Sequence, residues 1–367
     1  MVALINFKNW YTLVASSIWQ SIKRFPVVYC LIVSTMLLIK VYFYGSGLMK
    51  DFPLLIAMCV ALWIPIFLCV KLILEINRIN QKSLKIIFHL VGFVLSWTCF
   101  LIVPNSVRYI VANITLYLIF ILLLYINQKD SFELHVAHLI NRFLISIFYA
   151  LILFLVVSTF LFTIKFLFSD GSDYVRAEIF DLSLFIFGIF APSCFLAGLP
   201  NINEDKQSEE YPKILKIVLI YYLIPAIVIY TGALYLYYIK ILLTFEWPNE
   251  ILGHLILWYS IISAGVIFLV FPLQNDFPWI KTFIKWFTKL LIPSLIIMLV
   301  STAFRIYYYG VTENCYYLLV SGLFVLGVVL YWNLAKTIRN IVLPVFLVIV
   351  MNLSVCLYDF ICLLTRE

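Results

Sequence analysis

Apolar residues fill run after run of about twenty positions along this chain, and polar residues are confined to short breaks between them. Runs of that length match the ~20 helical residues needed to cross a hydrocarbon layer about 30 Å thick. Backbone amides in lipid have no water to bond, so the α-helix, which satisfies them within one segment, is the expected form. The pattern predicts about eleven spans, near 26–46, 52–74, 84–104, 106–126, 143–168, 178–199, 214–243, 251–273, 286–309, 315–335 and 341–363. The expected fold class is an all-α, polytopic integral membrane helical bundle. Pro104-Asn105 is the whole of the turn between the third and fourth spans.

Ahead of the first span, Phe7, Trp10, Tyr11, Val14, Ile18 and Ile22 recur at helical spacing among Lys8, Ser16, Ser17, Gln20 and Lys23. This predicts an interfacial amphipathic helix over residues 1–25 on the inner membrane surface, followed by a single membrane-embedded domain over 26–367. The first apolar run begins after Arg24 and lacks a small-residue cleavage site, so it is expected to stay as an anchor. Only two connections, 127–142 and the polar stretch 201–210, are long enough for more than a turn.

Composition supports the same class: 65% hydrophobic and 12% charged residues leave too little polar surface for a soluble globule. The net charge of +7 comes from Lys and Arg scattered at segment ends, which argues for membrane orientation and against a nucleic-acid partner. With the N-terminus in the cytoplasm, 17 of the 25 basic residues fall on the inner side, and an odd number of spans puts Glu367 outside. The eight cysteines have neither disulfide nor metal-site spacing and are expected as small buried apolar residues. No cofactor is expected.

Ionisable residues within spans are the candidate chemistry. Asp181, Lys240, Arg305, Glu313 and Asp359 fall toward the outer ends of their spans. They are expected either to form an outward-facing vestibule, Lys240 and Arg305 answering Asp181 and Asp359 or holding an anionic ligand, or to snorkel and pair structurally. Pro65, Pro192, Pro225, Pro272, Pro293 and Pro344 interrupt spans, and the weakened stretch Ala191 to Gly198 is a candidate broken helix or a simple kink. His135 and His138 stand at i, i+3 near Glu133, a spacing that can put three ligands on one helical face; it is a weak metal signal with no fourth ligand, so no metal site is assigned. No hydrolase elbow, P-loop, dinucleotide fingerprint or zinc-protease motif occurs, and no catalytic residue is assigned.

From about 140 to 335 the chain resembles the bacterial membrane family known as domain of unknown function 4153. The resemblance rests on Phe195-Leu-Ala-Gly-Leu-Pro200, Tyr211-Pro-Lys-Ile-Leu-Lys216, Ile224-Pro225, Tyr230-Thr231, Tyr235-Leu-Tyr-Tyr-Ile-Lys240, Trp247-Pro248, Pro293 and Arg305-Ile-Tyr-Tyr-Tyr-Gly-Val-Thr312, with Lys23-Arg-Phe-Pro26 similar to the family's start. It implies a multi-pass protein of the bacterial cytoplasmic (inner) membrane and draws attention to Lys240, Arg305, Tyr309, Gly310 and Thr312. It implies no reaction, substrate or cofactor. Cys315 stands where similar sequences often place Arg, and many relatives continue into a soluble region beyond the position of Glu367.

The functional expectation is permease-like: a small or amphiphilic solute meeting a ligand-binding set of Asp181, Lys240, Arg305, Tyr309, Thr312 and Asp359. The alternatives are a scaffold for a membrane-protein partner and an intramembrane enzyme whose vestibule binds a lipid headgroup. The lipid bilayer is a partner in every case.

Overall fold

The computed structural model describes residues 16, 18–45, 51–77, 106–126, 131–168, 173–200, 210–244, 250–310, 312–335 and 338–364. Every element among them is helical: α1 (Pro26–Tyr44), α2 (Asp51–Ile76), α3 (Ser106–Tyr125), α4 (Phe132–Phe168), α5 (Asp173–Phe185), α6 (Ala191–Ala197), α7 (Lys213–Ile217), α8 (Ile224–Thr244), α9 (Glu250–Val270), α10 (Pro278–Tyr309), α11 (Glu313–Leu334) and α12 (Val342–Leu364). Nine helical segments among the described residues are long and apolar enough to cross a membrane, and a further one, apolar over Val342–Tyr358, is shorter. The chain is an all-α polytopic membrane protein. The expected span at 84–104 lies outside the described residues, as do most of the expected N-terminal amphipathic positions; residues 18–24 are helical.

Close packing groups the chain into two compact units, one of residues 1–128 and 139–207, the other of 129–138 and 208–367. In the first, α1 lies along α2, and α2 lies along α3. Two faces of α2 are used. Phe67, Leu68 and Leu72 pack in a core with Phe25, Val28, Ile32, Phe120 and Leu196, while Leu62, Ile66, Val70 and Leu74 meet Tyr109, Ala112 and Leu116. Such i, i+4 rows bring side chains one above another on a helix face. In the second unit α10 packs on α11, and both pack on α9. Lipid tails are as apolar as the helices, so close approach rather than hydrophobicity holds such pairs. Gly322 permits it on α11, where an added methyl would collide with Met298 and press on Leu299.

Two helices begin earlier than hydropathy predicts. Residues 132–142, expected as connection, are the first turns of the 37-residue α4, and α10 begins at Pro278, ahead of the expected 286. Hydropathy measures affinity for lipid, whereas helix formation tolerates polar positions that protein covers. Glu133, Asn340 and Trp332 provide that cover within the second unit. The Trp332 indole N–H donates to Asn340 Oδ1 (2.9 Å), and Asn340 Nδ2 donates to Glu133 Oε1 (2.5 Å). All three side chains are buried.

Prolines are absorbed in three ways. Pro65 and Pro293 sit inside continuous helices, and Pro272 falls in the 3₁₀ turn Phe271–Gln274 that ends the α9 segment. Pro192 and Pro225 each follow a π-helical segment, Ile186–Phe190 and Val218–Leu223. A proline ring clashes with the carbonyl four residues back, here that of Gly188 or Tyr221, and the wider π turn gives it room. The helix therefore runs on without a break, widened over Ile186–Phe190 and α-helical over Ala191–Ala197. Of the cysteines expected to be buried, Cys59 and Cys69 are buried, whereas Cys30 and Cys356 lie on exposed helix faces.

Before α7, the Tyr211 hydroxyl donates to the Leu269 carbonyl (2.9 Å). Burial pushes this phenol well above its ordinary range. A raised folded-state value means that the contribution to stability is complete below the unfolded value of about 10 and is lost as pH climbs beyond it.

Asn340→Leu should lower stability by about 1–3 kcal/mol, because Glu133 is left buried without its donor; thermal unfolding in detergent measures this, and an unchanged midpoint would refute it. Tyr211→Phe should cost about 1 kcal/mol at neutral pH and lessen the alkaline decline above about pH 10. Unfolding curves of both proteins across that range provide the comparison.

Candidate functional site

The first unit encloses an open-sided cavity of about 660 Å³ between α1, α2, α3, α4 and the α5 to α6 segment. Its walls are almost wholly apolar. Val28, Ile32, Met36 and Ile39 contribute from α1, with Phe143 and Ile147 from α4, and Phe187, Gly188 and Leu196 opposite. The hydroxyls of Thr35 and Ser146 in the wall are committed to backbone carbonyls, Thr35 Oγ1 to Leu31 (2.8 Å) and Ser146 Oγ to Arg142 (2.9 Å). The π turn forms one wall, and at Gly188 an added Cβ would stand 2.8 Å from Met36 Sδ.

Charges mark both ends. At one, carbonyl oxygens just past α6 are met by two arginines. Arg142 donates to the Gly198 oxygen. Arg24 reaches those of Leu199 (3.4 Å) and Pro200 (3.2 Å) while holding Glu75 through Nε (3.1 Å) and Nη2 (2.7 Å). Cations suit the negative end of a helix, which gives Phe195-Leu-Ala-Gly-Leu-Pro200 a clear structural role. At the other end Lys40 Nζ lies 2.7 Å from Asp181 Oδ2, and the Tyr44 hydroxyl donates to the Ala177 carbonyl (3.1 Å).

The second unit carries a seam of uncharged hydroxyls. Thr231 and Tyr259 share a short hydrogen bond, the Tyr235 hydroxyl donates to the Leu290 carbonyl (2.9 Å), and the single Thr288 hydroxyl proton lies between two acceptors, the Ile284 carbonyl (2.8 Å) and Asn333 Oδ1 (3.2 Å). The buried oxygens of Tyr238, Ser260, Ser263 and Ser294 belong to the same seam, Tyr238 beside Ser294 and Tyr259 beside Ser263. Beside the seam lies a cavity of about 400 Å³ walled by Thr231, Tyr235, Phe283, Trp286 and Phe287.

The residues singled out by sequence are distributed as follows. Asp181 belongs to the first unit and takes Lys40 as its ion-pair partner. Lys240, Arg305 and Thr312 belong to the second, with Lys240 exposed on α8 and Arg305 half-buried on α10. Gly310, at φ 79°, ends α10 in a conformation that suits glycine. Thr312 opens α11, its hydroxyl accepting the Cys315 N–H (3.4 Å). That turn accounts for the Gly-Val-Thr part of the recurrent stretch. Tyr309 closes α10 and Asp359 lies in α12, and their side chains fall outside the described residues. Among the described residues no three His, Cys, Asp or Glu side chains gather as a metal cage. The seam and the cavities escaped the sequence reading because both are built from residues that look like ordinary span.

No solved structure matches the chain. Over 133 residues it is 29% identical to uncharacterized protein PM1469 of Pasteurella multocida strain Pm70. That stretch is 35% of this chain and 22% of the relative, so the match spans about a fifth of that protein's length. The family described as domain of unknown function DUF4153 matches residues 14–363, well beyond the 140–335 of the resemblance, and the chain belongs to that family.

Proposed function

We propose that the protein is permease-like and admits an amphiphilic solute from the bilayer into the cavity of the first unit. The observation that carries this reading is the cavity itself. Its volume of about 660 Å³ lies within the range of small-molecule sites, roughly 300–1,000 Å³. With the Thr35 and Ser146 hydroxyls already bonded to backbone and Tyr117 the one other hydroxyl among the lining side chains, a wholly polar solute would lose most of its hydration without replacement, whereas an apolar chain exchanges lipid contacts for protein contacts. The π turn at Ile186–Phe190 adds support, since such turns recur at functional sites. Arg24, Lys71 and Arg142 lie toward the Gly198–Pro200 end of the unit. By the positive-inside tendency that end faces the cytoplasm, with the N-terminus inside, in a bacterial cytoplasmic membrane.

Gly188→Leu places a side chain in the space that Met36 borders. In reconstituted vesicles it should slow transbilayer movement of a fluorescently labelled acyl amphiphile by at least about fivefold, the kinetic equivalent of the lower end of the ~1–3 kcal/mol that overpacking costs. Gly265→Ala, with no atom within 4 Å of the added carbon, is the control. Movement that Gly188→Leu leaves unchanged, or that the wild-type protein does not promote, overturns the reading.

A further inference from the structure

The two arginines beyond α6 differ in how their charges are met. Arg24 is held by both oxygens of Glu75. Among the described residues no carboxylate pairs with Arg142, whose side-chain bond goes to the Gly198 carbonyl. A guanidinium has five N–H donors, so among the described residues most of this one's capacity is uncommitted. It is half-buried, and a cation withdrawn from water favours a full counter-charge over a carbonyl dipole.

Arg142 also stands where the cavity ends. Leu139 and Phe143 flank it on α4, Ser146 lies one turn on, and Phe195 and Leu196 precede its carbonyl partner; all five line the cavity. The α1 wall runs from Val28 to Ile39, about 17 Å at ~1.5 Å per residue. That is close to half of the ~30 Å hydrocarbon layer, the depth one acyl chain occupies. At about 30 Å³ for a water-sized group, 660 Å³ accepts roughly twenty such groups, one long chain rather than two. At the far end, next to Ile39 and Leu184, the cation Lys40 already holds Asp181 at 2.7 Å. Among the described residues, the cation beside the cavity that no carboxylate pairs is therefore at the Arg142 end.

We infer that the cavity is a site for a single-chain anionic amphiphile of the long-chain fatty acid class, its carboxylate on the Arg142 guanidinium and its tail running toward Ile39. The inference rests on the amphiphile reading above and adds the chemistry of the headgroup. A planar guanidinium fits a carboxylate through two parallel hydrogen bonds, and the Gly198 carbonyl keeps the fork oriented.

Binding of palmitic acid and of methyl palmitate to the purified protein in detergent micelles tests it. The wild-type protein should bind the acid at least about tenfold more tightly than the ester. Arg142→Gln should bring the acid down to the affinity of the ester, Arg142→Lys should keep part of the preference, and Gly188→Leu should weaken both ligands. Equal affinity for acid and ester in the wild type, or a preference that survives Arg142→Gln, overturns the headgroup assignment; the cavity reading then stands if Gly188→Leu still weakens both. Arg142→Gln weakening acid and ester alike marks the arginine as a helix cap alone and also overturns it. A two-chain phosphatidic acid that displaces palmitate at lower concentration overturns the single-chain assignment. Binding of neither ligand, or indifference of both to Gly188→Leu, removes the cavity reading and this inference with it.

Discussion

Lipid gives a peptide group nothing to bond with, and that constraint governs what this chain can be. Every described element is a helix because a helix closes its own hydrogen bonds. Prolines that would break the ladder are accommodated by local changes of pitch, as in the wide turns before Pro192 and Pro225. Where helices end, the freed carbonyls need donors. Arg24 and Arg142 supply them past α6, and Gly310 with Thr312 turns α10 into α11 within a few residues. The wide turn at Ile186–Phe190 carries Gly188 into the cavity wall, so a solution to a backbone problem also shapes a site.

Charge is treated with the same economy. Arg24 with Glu75, Lys40 with Asp181 and Lys216 with Asp276 are paired in the described residues, and Glu133 is held by Asn340 rather than by a cation. A buried carboxylate bonded to an amide avoids a second desolvated charge. The arrangement around Glu133 anchors the first turns of α4 in the second unit, while the remainder of that helix belongs to the first. Against this background Arg142 stands out: a cation beside an apolar cavity whose described partner is a carbonyl oxygen.

The fold was largely legible in the sequence, and the site was not. Ten of the eleven predicted spans correspond to described helices, because lengths such as those of α1 and α9 follow from uninterrupted apolar runs. The starts of α4 and α10 were misplaced, since Glu133, His135, Lys281 and Lys285 depress hydropathy without disfavouring a helix. Lys40, one of the basic residues scattered at segment ends, pairs with Asp181, a partnership that no local pattern signals. The hydroxyls of Thr231, Tyr259 and Ser294 carry no charge, so they leave no mark on a hydropathy profile although they line up between helices.

By itself the sequence determined that this chain crosses a membrane many times as helices, because burial in lipid is an additive property of consecutive residues. It also contained the local turn chemistry at Gly310 and Thr312, which depends only on neighbours. Tertiary structure alone decided that Val28, Met36, Phe143, Gly188 and Leu196 border one cavity and that Arg24, Glu75 and Arg142 converge near one helix end. Those residues lie far apart along the chain, and apolar helix faces of similar composition can pack in many ways, so steric fit between particular side chains had to choose among them.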